Sequence, residues 1–288
     1  MKRRWGDRKD GKLIRELDAM HLIMPMMWPN RADNEAFISE RIDLTAVNDY
    51  LTKKNADSPE YKYNLFQVIV TSVLKILVLR PKMNRFIANK NYYQRNEYSA
   101  SFVIKKVFSD TSEEGMAFIR AKENDNINTI HDDIYRQVTR TRKGEKNSTD
   151  NAMDILNKIP RFLCKFAFCI LRWMDRHGWM PDSLIETDPL QASVILSNLG
   201  SIKLHAGYHH LTNWGTTSLF VVVGEKKVRP FYNEEGSVEM RDSIDIGITV
   251  DERIADGYYF SKTIRLLKKI MENPELLEEA LASEVDYE

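Results

Sequence analysis

Glycine is scarce in this chain, at 12 of 288 residues, and cysteine scarcer, at two. No Gly-x-Gly-x-x-Gly follows a strand, and no Walker-type loop, Gly-x-Ser-x-Gly elbow or His-Glu-x-x-His helix occurs. Each of those motifs depends on a close backbone approach or a fixed ligand spacing. Their absence weighs against dinucleotide, nucleotide, hydrolase and metalloprotease chemistry. The two cysteines, Cys164 and Cys169, share the apolar run 162–174. A disulfide framework is therefore not expected, and a reducing cytoplasm is. Charge of either sign is not in excess, with Lys+Arg and Asp+Glu at 42 each. Partners that need a basic surface, nucleic acid and anionic membrane, are not expected. No run reaches the roughly 18 apolar residues that span a bilayer. The best candidate, 162–174, is short and carries Lys165 and Arg172, so it reads as a buried or interface helix, with a membrane-surface helix as the alternative. The first residues are charged and lead into no apolar signal core.

What remains is 43% hydrophobic content and 10% aromatics, enough for a sizeable core and too much for disorder. Residues 1–35 read as an arm, extended or looped at 22–29 because Pro25 and Pro29 interrupt it. A strand is expected over 37–44 and a helix from Thr45, with Val47, Tyr50 and Leu51 on one face. Leu65, Ile69, Val73, Ile76 and Leu79 predict a deeply buried helix over 64–79, ended by Pro81. Residues 86–92 and 99–108 read as the arms of a hairpin. The stretch 124–151 is helix-permissive, with Ile127, Ile130, Ile134 and Val138 on one face and a charged turn at 140–147. Asn147-Ser148-Thr149 matches a glycosylation sequon, discounted because no export signal precedes it. Strands are expected at 192–196, 218–223 and 244–250, then a helix over 258–272 and a last helical piece at 275–282. His205, His209 and His210 form the one histidine cluster. Two of them have metal-ligand spacing on a helix, but Gly200 and Gly207 favour a loop, so no metal site is expected.

Near the C-terminus stands Asp251-Glu252-Arg253-Ile254-Ala255-Asp256-Gly257, opening a helix that breaks at Asn273-Pro274. Upstream lie Ile195-Leu196-Ser197-Asn198-Leu199-Gly200, an apolar strand from Ser218 to Gly224, and Arg41-Ile42-Asp43-Leu44-Thr45. In this order, spanning about 35 to 280, these blocks resemble the catalytic domain shared by dihydrolipoyl acyltransferases and chloramphenicol acetyltransferase. That family's signature is Asp-His-Arg-x-x-Asp-Gly, so Glu252 stands where the family keeps its histidine. Residues 110–185 carry no transferable motif. The resemblance implies an α/β fold, a two-layer sandwich around a mixed β-sheet, in one domain over 1–288 that assembles as a homotrimer with sites between subunits. It also implies coenzyme A or acyl-CoA as substrate, a small-molecule acceptor and no covalently bound cofactor. No lipoyl or subunit-binding domain is expected, and a free acceptor fits better than a swinging arm.

In that family the histidine deprotonates the attacking thiol or hydroxyl, a serine or threonine hydroxyl steadies the oxyanion, and the motif aspartate pairs with an arginine. Carried over, the resemblance gives Glu252 and Asp256 as catalytic positions, Arg15 as the partner of Asp256, and Ser197 as oxyanion donor, with Ser218 and Thr217 as rivals. Asn198, Gly200 and Ser218 would line the substrate site. Each has a plainer role: Asp256 as a helix cap, Arg15 as an exposed charge, the hydroxyls as backbone partners, Asn198 and Gly200 as turn formers. Trp173, Trp179 and Trp214 would line an acceptor pocket or pack a core or interface. A glutamate starts about two pK units lower than histidine and is the poorer base at neutral pH. Three readings stay open. Burial makes Glu252 the working base, or the role has moved to His209 and His210, or the site is inactive and the chain is a trimeric scaffold or ligand-binding subunit. The scaffold reading expects Glu252 paired to an arginine and the tunnel plugged by Tyr258 or Tyr259.

Overall fold

The computed structural model describes residues 3–105, 114–145 and 148–287. The strands are β1 (Gly11–Leu13), β2 (Glu35–Asp43), β3 (Arg85–Ala88), β4 (Asn91–Arg95), β5 (Tyr98–Lys105), β6 (Glu114–Ala121), β7 (Val194–Asn198), β8 (Leu219–Val223), β9 (Lys227–Tyr232) and β10 (Val238–Asp251). The helices are α1 (Ala19–Met27), α2 (Thr45–Lys54), α3 (Leu65–Leu79), α4 (Ile127–Arg142), α5 (Ser148–Lys158), α6 (Arg161–His177), α7 (Asp182–Ile185) and α8 (Gly257–Glu272).

Period-two alternation on β8 and β10 decides the layering. Leu219, Val221 and Val223, with Ile244, Ile246, Ile248 and Val250, are all buried on the face that meets α3, α4 and α8. Phe220 and Val222 turn the other way, onto Ile195 and Leu211. The main sheet runs β2-β10-β8-β7-β5-β6, with β9 also on β10. Strands β5, β7 and β8 are mutually parallel, and the other pairs are antiparallel. This is the expected two-layer α/β sandwich around a mixed sheet. A second sheet, β1-β4-β3, carries the N-terminal arm.

Helix α3 begins where Asn64 and Gln67 bond each other's backbone in a reciprocal cap, and most of its residues are buried. Three expectations need correction. Residues 22–29 are largely helical, because Asp18 caps α1 through the His21 N–H, and Pro25, late in the helix, removes only one internal hydrogen bond. Residues 86–92 are not one strand: Asn89 and Lys90 have φ of 46° and 63°, so the chain turns there and β3 pairs with β4, while β5 pairs with β6. The stretch 124–151 divides at the expected charged turn, where Gly144 has φ 77° just past α4. The last helical piece shrinks to a 3-10 turn at Pro274–Leu277. The end of the expected 99–108 strand and Asn147 of the sequon lie outside the described residues.

Helix α6 departs from a buried helix. Phe162, Phe166 and Trp173 are 70, 65 and 50% exposed, and Asp175 is its only buried residue. Cys164 and Cys169 are both free. Among the described residues no helix is long and apolar enough to cross a membrane.

Candidate functional site

The strand register sets how far apart the motif residues stand. Ser197 on β7 pairs with Val222 on β8, which pairs with Gly247 on β10. Glu252 lies five residues beyond Gly247, about 16 Å at 3.3 Å per residue. Within one chain Ser197 and Glu252 therefore occupy opposite ends of the sheet, and one small substrate cannot touch both.

At the Glu252 end the chemistry is turned inward. Asp251 closes β10 with a fully buried carboxylate. It accepts from Arg253 Nε at 2.8 Å and Nη2 at 2.7 Å, a two-pronged pair. Arg31 Nε lies 3.8 Å from the same carboxylate. Burial draws the Arg31 guanidinium below its ordinary pKa, against the pull of Asp251. Arg253 thus spends its charge on Asp251, not on Glu252. Glu252 itself is exposed, its backbone N–H donating to the Asn34 carbonyl, and it has no ion pair among the described residues.

Asp256 takes its plainer role. It caps α8 by accepting from the Tyr259 N–H at 2.8 Å, and that bond holds its carboxyl below the usual value. The expected pair with Arg15 is corrected. Arg15 donates to the Leu13 and Trp5 carbonyls and to Asp7, because β1 fixes it in the small sheet. Ser218 is buried at the start of β8, with Oγ against the Thr216 carbonyl, and Thr217 donates to the Ala192 carbonyl. Tyr258 is exposed, and Tyr259 stacks under Arg80 at 3.7 Å.

At the other end, Ser197, Asn198 and His209 share an open cleft of about 810 Å³ at the C-terminal ends of β5 and β7. Tyr61, Asn64 and Gln67 border it from the start of α3, and Tyr135 and Arg142 from α4. Ser197 is half-buried and its hydroxyl has no partner among the described residues. Asn198 Oδ1 accepts from the Ser201 N–H, which folds the turn after β7.

Close packing brings His209 to this cleft. The loop that carries it lies against the bare faces of two glycines. A Cβ on Gly247 would stand 2.1 Å from the Gly207 carbonyl oxygen, and one on Gly224 2.5 Å from the Ala206 nitrogen. Gly200 meets Gly224 in the same way, at 2.6 Å. The His209 ring then stacks on Phe220, centroids 4.2 Å apart and 7° from parallel. Its Nδ1 lies 3.0 Å from the His210 carbonyl oxygen. A carbonyl only accepts, so Nδ1 is the donor of this bond, and in the neutral ring the lone pair falls on Nε2. His210 is tied instead to the Leu211 carbonyl, and His205 stands beside Lys227 and Glu225. Among the described residues no group of three His, Cys, Asp or Glu side chains is placed to hold a metal ion. Of the tryptophans, Trp214 donates to Asp188 at 2.8 Å, while Trp173 and Trp179 pack edge to face on the α6 surface.

Sequence reasoning missed three parts of this picture. Arg31 joins the Asp251 pair from far upstream, with no local pattern to mark it. Tyr61 and Tyr135 meet across the cleft from 74 positions apart. The Asp251–Arg253 pair was legible in principle, as two opposite charges with one residue between them at a strand end.

The match to known proteins agrees with this frame. Residues 182–278 match the family model of the 2-oxoacid dehydrogenases acyltransferase (catalytic domain). No curated protein matches the chain. The fold is shared with a dihydrolipoamide acetyltransferase from Azotobacter vinelandii (TM-score 0.61, 12% identity, 93% of this chain and 95% of that one), in a structure that addresses a serine, a histidine and an asparagine in catalysis. The cubic core of a pyruvate dehydrogenase multienzyme complex aligns equally well (TM-score 0.61, 12% identity, 93% and 95%). A chloramphenicol acetyltransferase aligns at TM-score 0.53 and 12% identity over 91% of this chain and 98% of that one.

Proposed function

We propose that this chain, which has the fold of dihydrolipoamide acetyltransferases and chloramphenicol acetyltransferase and matches their catalytic-domain family over residues 182–278, transfers an acyl group from acyl-coenzyme A to a small acceptor. The observation that carries this is the shared cleft of Ser197 and His209, with the His209 tautomer fixed by a carbonyl. In this reading His209 Nε2 takes the proton from the acceptor thiol or hydroxyl, which attacks the thioester carbonyl. The Ser197 hydroxyl donates to the oxyanion. Collapse expels the coenzyme A thiolate, which recovers the proton from His209. Glu252 reaches such a cleft only from a neighbouring subunit, as in the trimers that the family resemblance implies. The exposed aromatic face of α6 supports an assembly of that kind.

The exposed position of Glu252, outside a buried pair that needs nothing from it, favours the second reading of an inactive trimeric scaffold. Release of free coenzyme A from acetyl-, propionyl- and butyryl-coenzyme A, with thiol and hydroxyl acceptors, separates the two. Turnover that falls about 10²- to 10⁴-fold in His209→Gln sustains the enzyme reading. A wild-type protein that neither turns over nor binds coenzyme A by calorimetry sinks it.

A further inference from the structure

A second pocket, of about 320 Å³, opens at the buried end of the sheet, between the C-terminal turn of α6 and the β3–β4 turn. Its walls include Arg31, Arg172, Arg176, Arg253, Asp175 and Asn213. Four arginines therefore line it, against one aspartate.

That carboxylate is already engaged, accepting from Gln191 Nε2 at 3.0 Å and lying 3.7 Å from Arg8 Nη2. Asp251, behind the wall, is gripped by Arg253. Arg31 is 5% exposed, and its Nη atoms donate only to the carbonyls of Thr212, Gly215 and Ile87. Its Nε has no hydrogen-bond partner, the Asp251 carboxylate being 3.8 Å away. Arg172 and Arg176 stand one turn apart on α6, exposed, and neither pairs with a carboxylate among the described residues. Counting Asp175 and Asp251 in full, the pocket keeps an excess of two positive charges. Clustering cations at a wall that is partly dry is unfavourable unless an anion compensates them, and the planar arginine fork suits carboxylate and phosphate alike.

We propose that this pocket binds a small anion, a carboxylate or phosphate group, through Arg172 and Arg176 at its mouth, with the charge of Arg31 in its wall behind them. A few hundred cubic ångströms suits a small acid and not coenzyme A as a whole. The pocket begins one residue past Glu252. Given the acyl-transfer reading in a trimer, where the motif of one subunit meets the Ser197 cleft of its neighbour, its ligand is the acidic end of an acceptor held beside the motif. Anion binding itself does not rest on that reading.

The experiment is calorimetry of the purified protein with succinate and with inorganic phosphate at fixed ionic strength, repeated on the double variant Arg172→Gln/Arg176→Gln. Both arginines are exposed, so the variant keeps the fold, which circular dichroism checks. The expected result is binding of at least one anion by the wild type, weakened about tenfold or more in the variant. Coenzyme A is then added to the anion-loaded wild type. Displacement assigns the pocket to a phosphate of coenzyme A, and no displacement assigns it to an independent acid. Failure of both anions to bind the wild type, or equal affinity in the double variant, overturns the proposal. No acyl donor enters the assay. An inactive protein that binds succinate would sink acyl transfer and leave the pocket standing, and an active one that ignores both anions would do the reverse.

Discussion

Asp251, Arg253 and Arg31 at one end of β10 are 0, 1 and 5% exposed and bound to one another or to carbonyls. At the C-terminal end of β7, Ser197 holds an unpartnered hydroxyl over an open cleft, and His209 keeps a free ring nitrogen. Both ends carry motif residues, yet the first is built for rigidity and the second for contact with something absent from the fold. A charge buried in a dry site must be matched at once, so its geometry is committed. A hydroxyl and an imidazole at a wet surface can wait for a substrate. Conspicuous motif residues therefore divide by environment into those that hold the sheet and those free to react.

Asp251→Asn strikes the dry end and has the largest expected effect. It leaves Arg253 and Arg31 buried without their carboxylate. Stability should fall by about 3–5 kcal/mol, the usual result of orphaning a buried charge, measured as denaturant unfolding against wild type. Ser197→Ala, at the wet end, should leave the unfolding midpoint almost unmoved. Equal losses from the two variants would erase the difference between the ends.

Gly247→Ala tests whether close packing, not chemistry, positions the histidine loop. One methyl would meet the Gly207 carbonyl at 2.1 Å, so the loop has to lift off the sheet. Turnover should drop about 10- to 100-fold, as misplacing a catalytic group by an ångström does, with α3 and the buried ion network intact. The His209 ring resonances should shift as the stack on Phe220 opens. An alanine variant with normal turnover would detach the loop from the reaction.

Acid should loosen the two ends at different pH. Burial holds His131 below its ordinary value of 6.5, in a stack on Tyr63 (centroids 4.0 Å apart) under the cleft. Below pH 6.5 the unfolded chain takes up a proton that the folded chain refuses, so stability is full above 6.5 and is lost as pH falls toward the folded value. At the dry end burial alone would raise the Asp10 carboxyl. The two hydrogen bonds from Arg8 and its charge outweigh that and hold it below 3.8. Its contribution is present above 3.8 and is lost only as pH falls further. Amide exchange should show α4 losing protection in mild acid before β1 and β4 do, and His131→Phe should remove the earlier phase.

Much of the fold was legible because it follows from periodicity. The alternation on β8 and β10 and the apolar wrap of α3 specify a sheet with helices on one face, and the Ser197 and Asp251 blocks carry the resemblance to the acyltransferases whose fold it shares. The turn at Asn89–Lys90 was missed because two ordinary polar residues supply the positive φ there without glycine. The apolar run of α6 left a buried and an interface helix both open, because such a run reads the same whether it faces its own core or another molecule, and the structure leaves it exposed. Hardest to read was which candidates meet. Ser197 and Glu252 look like partners in a motif list, and only the register of β7, β8 and β10 puts them at opposite ends.

Glu252→Gln should have the smallest effect, and for that reason it says most about the division. The side chain is exposed and has no ion pair among the described residues, so removing its charge should leave the unfolding midpoint where it was. If His209 is the base in the cleft of its own chain, turnover should also change by less than about twofold. If a neighbouring subunit's Glu252 reaches over Ser197, turnover should collapse while stability stays level. Stability and turnover measured together on this one variant therefore decide whether the exposed glutamate is a remnant at the dry end or the missing half of the wet one.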